Sequence, residues 1–262
     1  MAPLPKSQTT SLATSTAEDV FIRDQSLCHE LIGQLSFTEM AFFLVLGRKP
    51  TEAQRSVVDA CLVTLMEHGL TPSAITTRLT YTSAPEAMQA AVAAGLMGVG
   101  SLFAGTMEGC ALLLNRIVAA GAAAGAAAEA EAEQVAREHR AAGLPLPGFG
   151  HPVHKPDDPR AARLIELVDE HRLTGDHTRA LLALSRAVDR VYTKHITINA
   201  TGAIAAALGD CGVPQQIMRG FALISRCAGL VAHIHEEQAK PALLALWEAG
   251  DRAVLYDGKQ GR

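Results

Sequence analysis

The chain predicts an all-α fold, on three observations. Apolar residues recur at helical spacing, most clearly Val57, Val58, Cys61, Leu62, Leu65 and Met66. The composition is rich in Ala and Leu and only 4% aromatic, which favours helices over sheets. No segment alternates convincingly with a period of two, so strands should be minor or absent.

At 262 residues the chain is long enough for a sizeable core, in one large domain or two intimate ones. A net charge of −4 with no basic block argues against nucleic acid as a partner. The five cysteines, Cys28, Cys61, Cys110, Cys211 and Cys227, are scattered through apolar helical patterns. They read as reduced thiols of a cytoplasmic protein, with no disulfide framework and no metal site. No secretory signal is expected, because Lys6 is not followed by an apolar run. Ala87 to Met107 is uncharged, yet its Ala and Gly density reads as a buried, close-packed helix pair and not as a membrane span.

Each helix has its own signals. Residues 1–17 are rich in Ser, Thr and Pro and predict a mobile tail, with order beginning near Asp19-Val20-Phe21-Ile22. Ser36-Phe37-Thr38-Glu39 is a capping box, and the helix it starts stops at Gly47. Thr51-Glu52-Ala53-Gln54 opens the next helix, which ends at Gly69. Ser83-Ala84-Pro85-Glu86 is expected to cap a helix whose Ala90, Ala91, Ala94, Gly95 and Gly98 permit close packing. Ala111 to Arg140 reads as two helices around a Gly/Ala bend. Asp158 and Pro159 suit the N-cap and first turn of a helix running to His171. Asp176 is expected to cap the helix carrying Leu181, Leu184 and Val188. Asn199 caps a short one ending near Gly209, and Pro214 opens a long one with Ile217, Phe221, Ile224 and Val231 inward.

Chemistry concentrates in Gly148-Phe149-Gly150-His151-Pro152-Val153-His154-Lys155-Pro156-Asp157-Asp158-Pro159-Arg160. The glycines leave room for a ligand beside the backbone. Arg160, in the first turn of a helix, lies near His151 if the loop folds back, and the two can share one carboxylate ligand. Arg226 stands among Ile, Ala, Gly and Val, so its guanidinium needs an anionic partner or a route to solvent. His68 at a helix C-terminus suits either the end carbonyls or a ligand. His233 and His235 read as core or surface histidines.

The Gly-Phe-Gly-His motif, its short basic spacer and Asp-Pro-Arg together resemble the most specific motif of the citrate synthase superfamily. The resemblance runs from about Leu31 to the C-terminus, and Glu67-His68-Gly69 and Ser225-Arg226 to Glu237-Gln238 match further family segments. It implies an all-helical, citrate-synthase-like fold. A large domain of residues 18–104 and 213–262 would be closed upon by a small domain of residues 105–212. It implies that His151 and His68 contact the substrate hydroxyl or carbonyl, and that Arg160, Arg226 and, from the tail, Arg252 bind carboxylates. Gly148, Phe149, Gly150 and Lys155 would border coenzyme A, a substrate as its thioester, with no tightly bound cofactor and no metal. A homodimer or larger homo-oligomer is implied.

Two positions depart from the synthase pattern. Phe103 stands where synthases carry a histidine, as in the citryl-CoA lyase branch that includes the C-terminal module of ATP-citrate lyase. Thr201, or Ile198 in a slipped register, stands where the family has a catalytic aspartate. A threonine hydroxyl cannot act as a general base near neutral pH. Glu108, Asp157 and Asp158 are the substitute carboxylates to examine. The reaction expected is cleavage of a citryl-CoA-type thioester, or its reverse. The alternatives are citrate or alkylcitrate synthesis, and binding of an acyl-CoA or polycarboxylate without turnover.

Overall fold

The computed structural model describes residues 9–102, 105–121 and 125–258. It is all-α, apart from one small antiparallel sheet of β1 (Ala13–Ser15), β2 (Val20–Ile22) and β3 (Gln25–Ser26) in that order. The helices are α1 (Phe37–Leu46), α2 (Glu52–Met66), α3 (Pro72–Ser83), α4 (Met88–Met97), α5 (Thr106–Ala119) and α6 (Ala126–Ala142). They continue with α7 (Pro159–Glu170), α8 (Asp176–Tyr192), α9 (Ala200–Asp210), α10 (Met218–Ala239) and α11 (Leu243–Ala253). Both capping boxes form, and Asp158 and Asn199 cap α7 and α9 as their side chains predict.

Four local expectations are corrected. The segment read as a tail contributes β1, which pairs Ala13 with Ile22 and Ser15 with Val20, so backbone pairing orders residues that bury no apolar side chain. Ser83 is the last residue of α3 and not a cap; α4 starts at Met88 without a side-chain cap. Gly175 is the N-cap of α8, and Asp176 is its first helical residue. In α10 the buried stripe is Met218, Phe221, Ala222, Ser225, Gly229, Leu230, His233, Ile234 and Glu237, while Ile217 and Val231 are exposed. That stripe carries polar residues with partners elsewhere in the fold, so hydropathy alone selects the wrong neighbours.

α9 is the centre of the molecule. Every residue from Gly202 to Leu208 is buried, and the helix packs against α2, α5, α7 and α8. Its small side chains let backbones meet: a Cβ on Gly202 would overlap the carbonyl oxygen of Gly148. α10, although long and apolar enough to cross a membrane, packs against α2, α3 and α4 and donates from Ser225 Oγ to the Leu62 carbonyl. Ala87 to Met107 is not the expected buried helix pair: it holds α4, of which only Ala91 and Gly95 are buried, and α4 packs closely instead on the preceding α3, where a Cβ on Gly95 would overlap Thr77 Oγ1. One continuous core runs from Phe42 of α1 to Ala222 of α10.

Gly202→Ala is expected to destabilise the protein by about 1–3 kcal/mol, because the obstructing atom belongs to backbone and cannot swing aside. Thermal unfolding of the purified variant measures this, and an unchanged midpoint would refute the close approach.

Candidate active site

The loop that carries the chemistry is stitched to the segment that enters α9. Gly150 N–H donates to the Thr197 carbonyl at 2.8 Å, and Asn199 N–H to the Gly148 carbonyl at 3.0 Å. Asn199 Nδ2 donates to the Gly150 carbonyl, and Asp158 N–H to Thr197 Oγ1. Gly148 and Gly150 have φ of +85° and +77°, which other residues adopt only under strain.

Asp158 fixes the far end of this loop. Its side chain is inaccessible to solvent and receives Arg160 Nε at 3.0 Å, Arg160 Nη2 at 2.8 Å, the Arg160 N–H and the Ala200 N–H. Burial by itself raises its pKa, but the Arg160 side-chain and backbone bonds and the Arg160 charge hold it below the usual carboxylate value. Arg160 is thereby aimed at His151, with Nη2 3.3 Å from Nε2.

The tautomer of His151 follows from its bonds. Nδ1 accepts the N–H groups of Val153 and His154 at 3.2 and 3.1 Å, so the ring proton sits on Nε2. Nε2–H and Arg160 Nη2 are then two donors side by side, and an oxygen acceptor satisfies both. Burial, with the charges of His154 and Arg160, pushes the His151 pKa down and keeps the ring neutral.

His68 reaches this point from the opposite side. Its ring centroid lies 5.6 Å from that of His151 and 5.8 Å from that of His154. It follows α2, and its N–H is held by Glu67 Oε1 at 2.8 Å. Behind the exposed Glu67 lie buried partners: Glu67 Oε2 is 3.0 Å from His233 Nε2, and His233 Nδ1 accepts from Arg78 Nε at 3.0 Å. Arg78 Nη1 is paired with Glu237 at 2.8 Å and Nη2 with Glu236. Burial first, then the charges of Arg160, His154 and Arg226, push the His68 pKa down. Arg226 is itself drawn down by burial, and its Nη1 is buried without a partner.

The remaining expected residues divide. Thr201 donates to Asn199 Oδ1 at 2.7 Å and lies 2.9 Å from Thr106 Oγ1, so it faces the start of α5, whereas Ile198 packs on the core. Phe103 lies outside the described residues. Phe149 is buried in the core, and Lys155 is exposed on the loop. Arg252 lies on exposed α11, beside Glu248, and a single chain does not bring it to the histidines. The three substitute carboxylates are all engaged: Glu108 with Arg219, Asp157 with His195, Asp158 with Arg160. Sequence reading missed Arg78, Glu67 and His154. Arg78 gave no such signal as Arg226, because it stands among Thr76, Thr77, Leu79 and Thr80 and not in an apolar run.

One nitrogen from each of His68, His151 and His154 lies within 4.8 Å of the others, the number and spacing of a metal-ligand set. The electrostatics oppose a cation. Two guanidinium charges act on His68, and a metal at His151 Nε2 would force the proton onto Nδ1, against two backbone N–H groups. The donors suit an anion with several oxygens.

The model of the citrate synthase C-terminal domain matches residues 7–244. The chain belongs to the citrate synthase family. It is 26% identical to the citrate synthase of Heyndrickxia coagulans over 78% of this chain and 52% of that enzyme. It is 27% identical to putative citrate synthase 2 of Mycobacterium tuberculosis over 79% of this chain and 54% of that protein. It thus spans about half the length of these relatives. Among solved structures it resembles the citryl-CoA lyase from Hydrogenobacter thermophilus, with a TM-score of 0.85 and 28% identity across 97% of this chain and 96% of that one. ATP citrate lyase from Methanothrix soehngenii, solved with citrate and coenzyme A, shares the fold at a TM-score of 0.79 and 17% identity, over 98% of this chain and 43% of that one.

Asp158→Asn leaves Arg160 without its counter-charge and is expected to destabilise the fold by about 3–5 kcal/mol at neutral pH, read from chemical denaturation. The native Asp158 pKa is lowered, so its stabilisation is complete above 3.8 and is lost as pH falls through the lower folded value. The variant should lack that part of the acid dependence; an identical acid limb would refute it.

Proposed function

We propose that this chain is a citryl-CoA lyase-like enzyme, which breaks the C–C bond between the α-carbon of a coenzyme A thioester and an oxo acid such as oxaloacetate, or forms it. The observation that carries this reading is the paired donors His151 Nε2–H and Arg160 Nη2 facing His68. The likeness in fold and length to citryl-CoA lyase supports it.

In cleavage, the tertiary hydroxyl loses its proton and becomes the ketone. The C–C electron pair passes to the thioester enolate, whose carbon then takes a proton. Neutral His68 has a lone pair for the hydroxyl proton. His151 and Arg160 meet the negative charge that develops on the same oxygen. Arg226 neutralises a carboxylate. Lys155 and the backbone at Gly148 and Gly150 border coenzyme A. Closure of residues 105–212 over residues 18–104 and 213–258 would exclude water from these contacts.

The enolate proton is the distinctive step. Thr201 already donates to Asn199, and Glu108, Asp157 and Asp158 are held by Arg219, His195 and Arg160. The proton therefore comes from solvent, relayed past Thr201 and Thr106. The same observation favours a second reading, a member that binds an acyl-CoA or polycarboxylate without turnover. Synthase-type net hydrolysis fits less well, since it also needs an aspartate at the position of Thr201.

We further propose a homo-oligomer. α11 buries none of its residues and leaves Leu244 and Trp247 exposed, followed by Val254, Leu255 and Tyr256, the surface a second copy would cover. Arg252 would then serve the neighbouring site. Buried Cys61, Cys110 and Cys211 are free thiols and suit a reducing, cytoplasmic setting.

Mass spectrometry of products from citryl-CoA tests the reaction. Release of acetyl-CoA and oxaloacetate above the uncatalysed rate is expected, with His151→Ala lowering kcat/KM about 100-fold or more. Product from Thr201→Asp alone would favour the binding reading. Because His68 and His151 act neutral with lowered pKa values, kcat/KM should be flat at pH 7–8 and fall only below the ordinary histidine value of 6.5. A fall centred above that value would refute the neutral-imidazole assignment.

A further inference from the structure

We propose that His154 is a substrate-contacting, specificity-determining residue. With His68 and His151 it forms a three-imidazole cradle for a carboxylate of the polycarboxylate portion of the substrate. The proposal rests on reading this site as one for a di- or tricarboxylate.

The placement of His154 is set by the loop turn. Its N–H donates to His151 Nδ1, and its ring stacks on that of His151 with centroids 4.4 Å apart and planes at 27°. The turn that fixes the His151 tautomer therefore also fixes the second imidazole. His154 is held beside the oxygen site, and one of its nitrogens lies within 4.8 Å of nitrogens of His68 and His151.

Its Nε2 and Nη1 of Arg226 are shielded from solvent and have no partner among the described residues. A buried polar nitrogen without a partner is costly, so Arg226 Nη1 calls for an acceptor, and His154 Nε2 matches one in its Nε2–H tautomer. Around the cradle the protein offers donors: Nε2–H of His151, Nη2 of Arg160 and the guanidinium of Arg226. The acceptors are those of the ligand. One carboxylate and one carbonyl oxygen do not serve His68, His151, His154, Arg160 and Arg226 together; two or three carboxylates do. An oxo acid with a single carboxylate leaves part of this donor set buried and unmatched, which a polar site rejects more strongly than an apolar pocket rejects a missing methylene.

Calorimetric titration of the full-length protein with citrate, oxaloacetate and pyruvate tests this without requiring turnover. His154→Phe keeps the stacked ring and removes both nitrogens. It should weaken citrate by about tenfold or more and narrow the preference for citrate over pyruvate, with coenzyme A binding unchanged. His154→Gln restores an amide N–H at similar reach and should bind citrate within about threefold of native. His154→Asn, whose amide is too short, should behave as the Phe variant and serves in its place if that variant does not fold. Native-like citrate affinity in a folded His154→Phe protein overturns the proposal and leaves the proposed function standing. A native protein that binds neither citrate nor oxaloacetate overturns both. Zinc binding that depends on His154 and excludes citrate would make the cradle a cation site and also overturn it.

Discussion

The buried carboxylate of Asp158 holds two helices and a guanidinium in one place. It caps α7, receives the first N–H of α9, and clamps Arg160 through both of its oxygens. Without these donors, burial would drive the group towards its neutral form. With them it is an anion that organises its surroundings, and the direction of Arg160 follows. The His151 loop lies between the points that Asp158 fixes and those where Gly148 and Gly150 bond to Thr197 and Asn199. The close approach of Gly202 to Gly148 belongs to the same constraint. A side chain at either glycine would push the loop away from α9 and displace the donors of His151 and Arg160.

A second network, buried at Arg78, His233 and Glu237, supports the opposite wall. Arg78, His233 and Glu67 form a relay from the acidic end of α10 to the backbone of His68. The two arginines on this side differ in an instructive way. Arg78 spends its donors on His233, Glu236 and Glu237 and is a structural residue. Arg226 keeps a buried donor without a partner among the described residues, near His68, and under the proposed function that donor would meet a ligand. Charge and burial alone do not separate them; the count of satisfied donors does.

The result is a site rich in donors and poor in free carboxylates. Imidazoles held neutral by burial and by neighbouring guanidinium charges suit a developing oxyanion. The threonine pair at the junction of α5 and α9 holds its protons in an internal chain. The carboxylates near it are already committed to arginine or histidine. Under the proposed function, carbon–oxygen chemistry is provided for within one chain, while proton delivery to carbon would depend on solvent.

Much of this was legible in the sequence. The all-α class followed from apolar spacing, because a helix buries one stripe whatever it packs against. The caps at Ser36, Thr51, Asp158 and Asn199 followed from local hydrogen bonds between a side chain and its own next turn. The pairing of His151 with Arg160 followed because only eight residues, three of them proline, separate them and the loop folds back. What the sequence did not determine lies between distant segments. β1 forms because β2 offers a backbone partner. The buried face of α10 includes Ser225, His233 and Glu237 because Leu62 of α2 and Arg78 and Thr82 of α3 bond to them. The tautomer of His151, the unmatched nitrogen of His154 and the commitment of every candidate carboxylate are likewise tertiary facts. Each depends on which donor stands opposite which acceptor across the fold, and no local pattern encodes that.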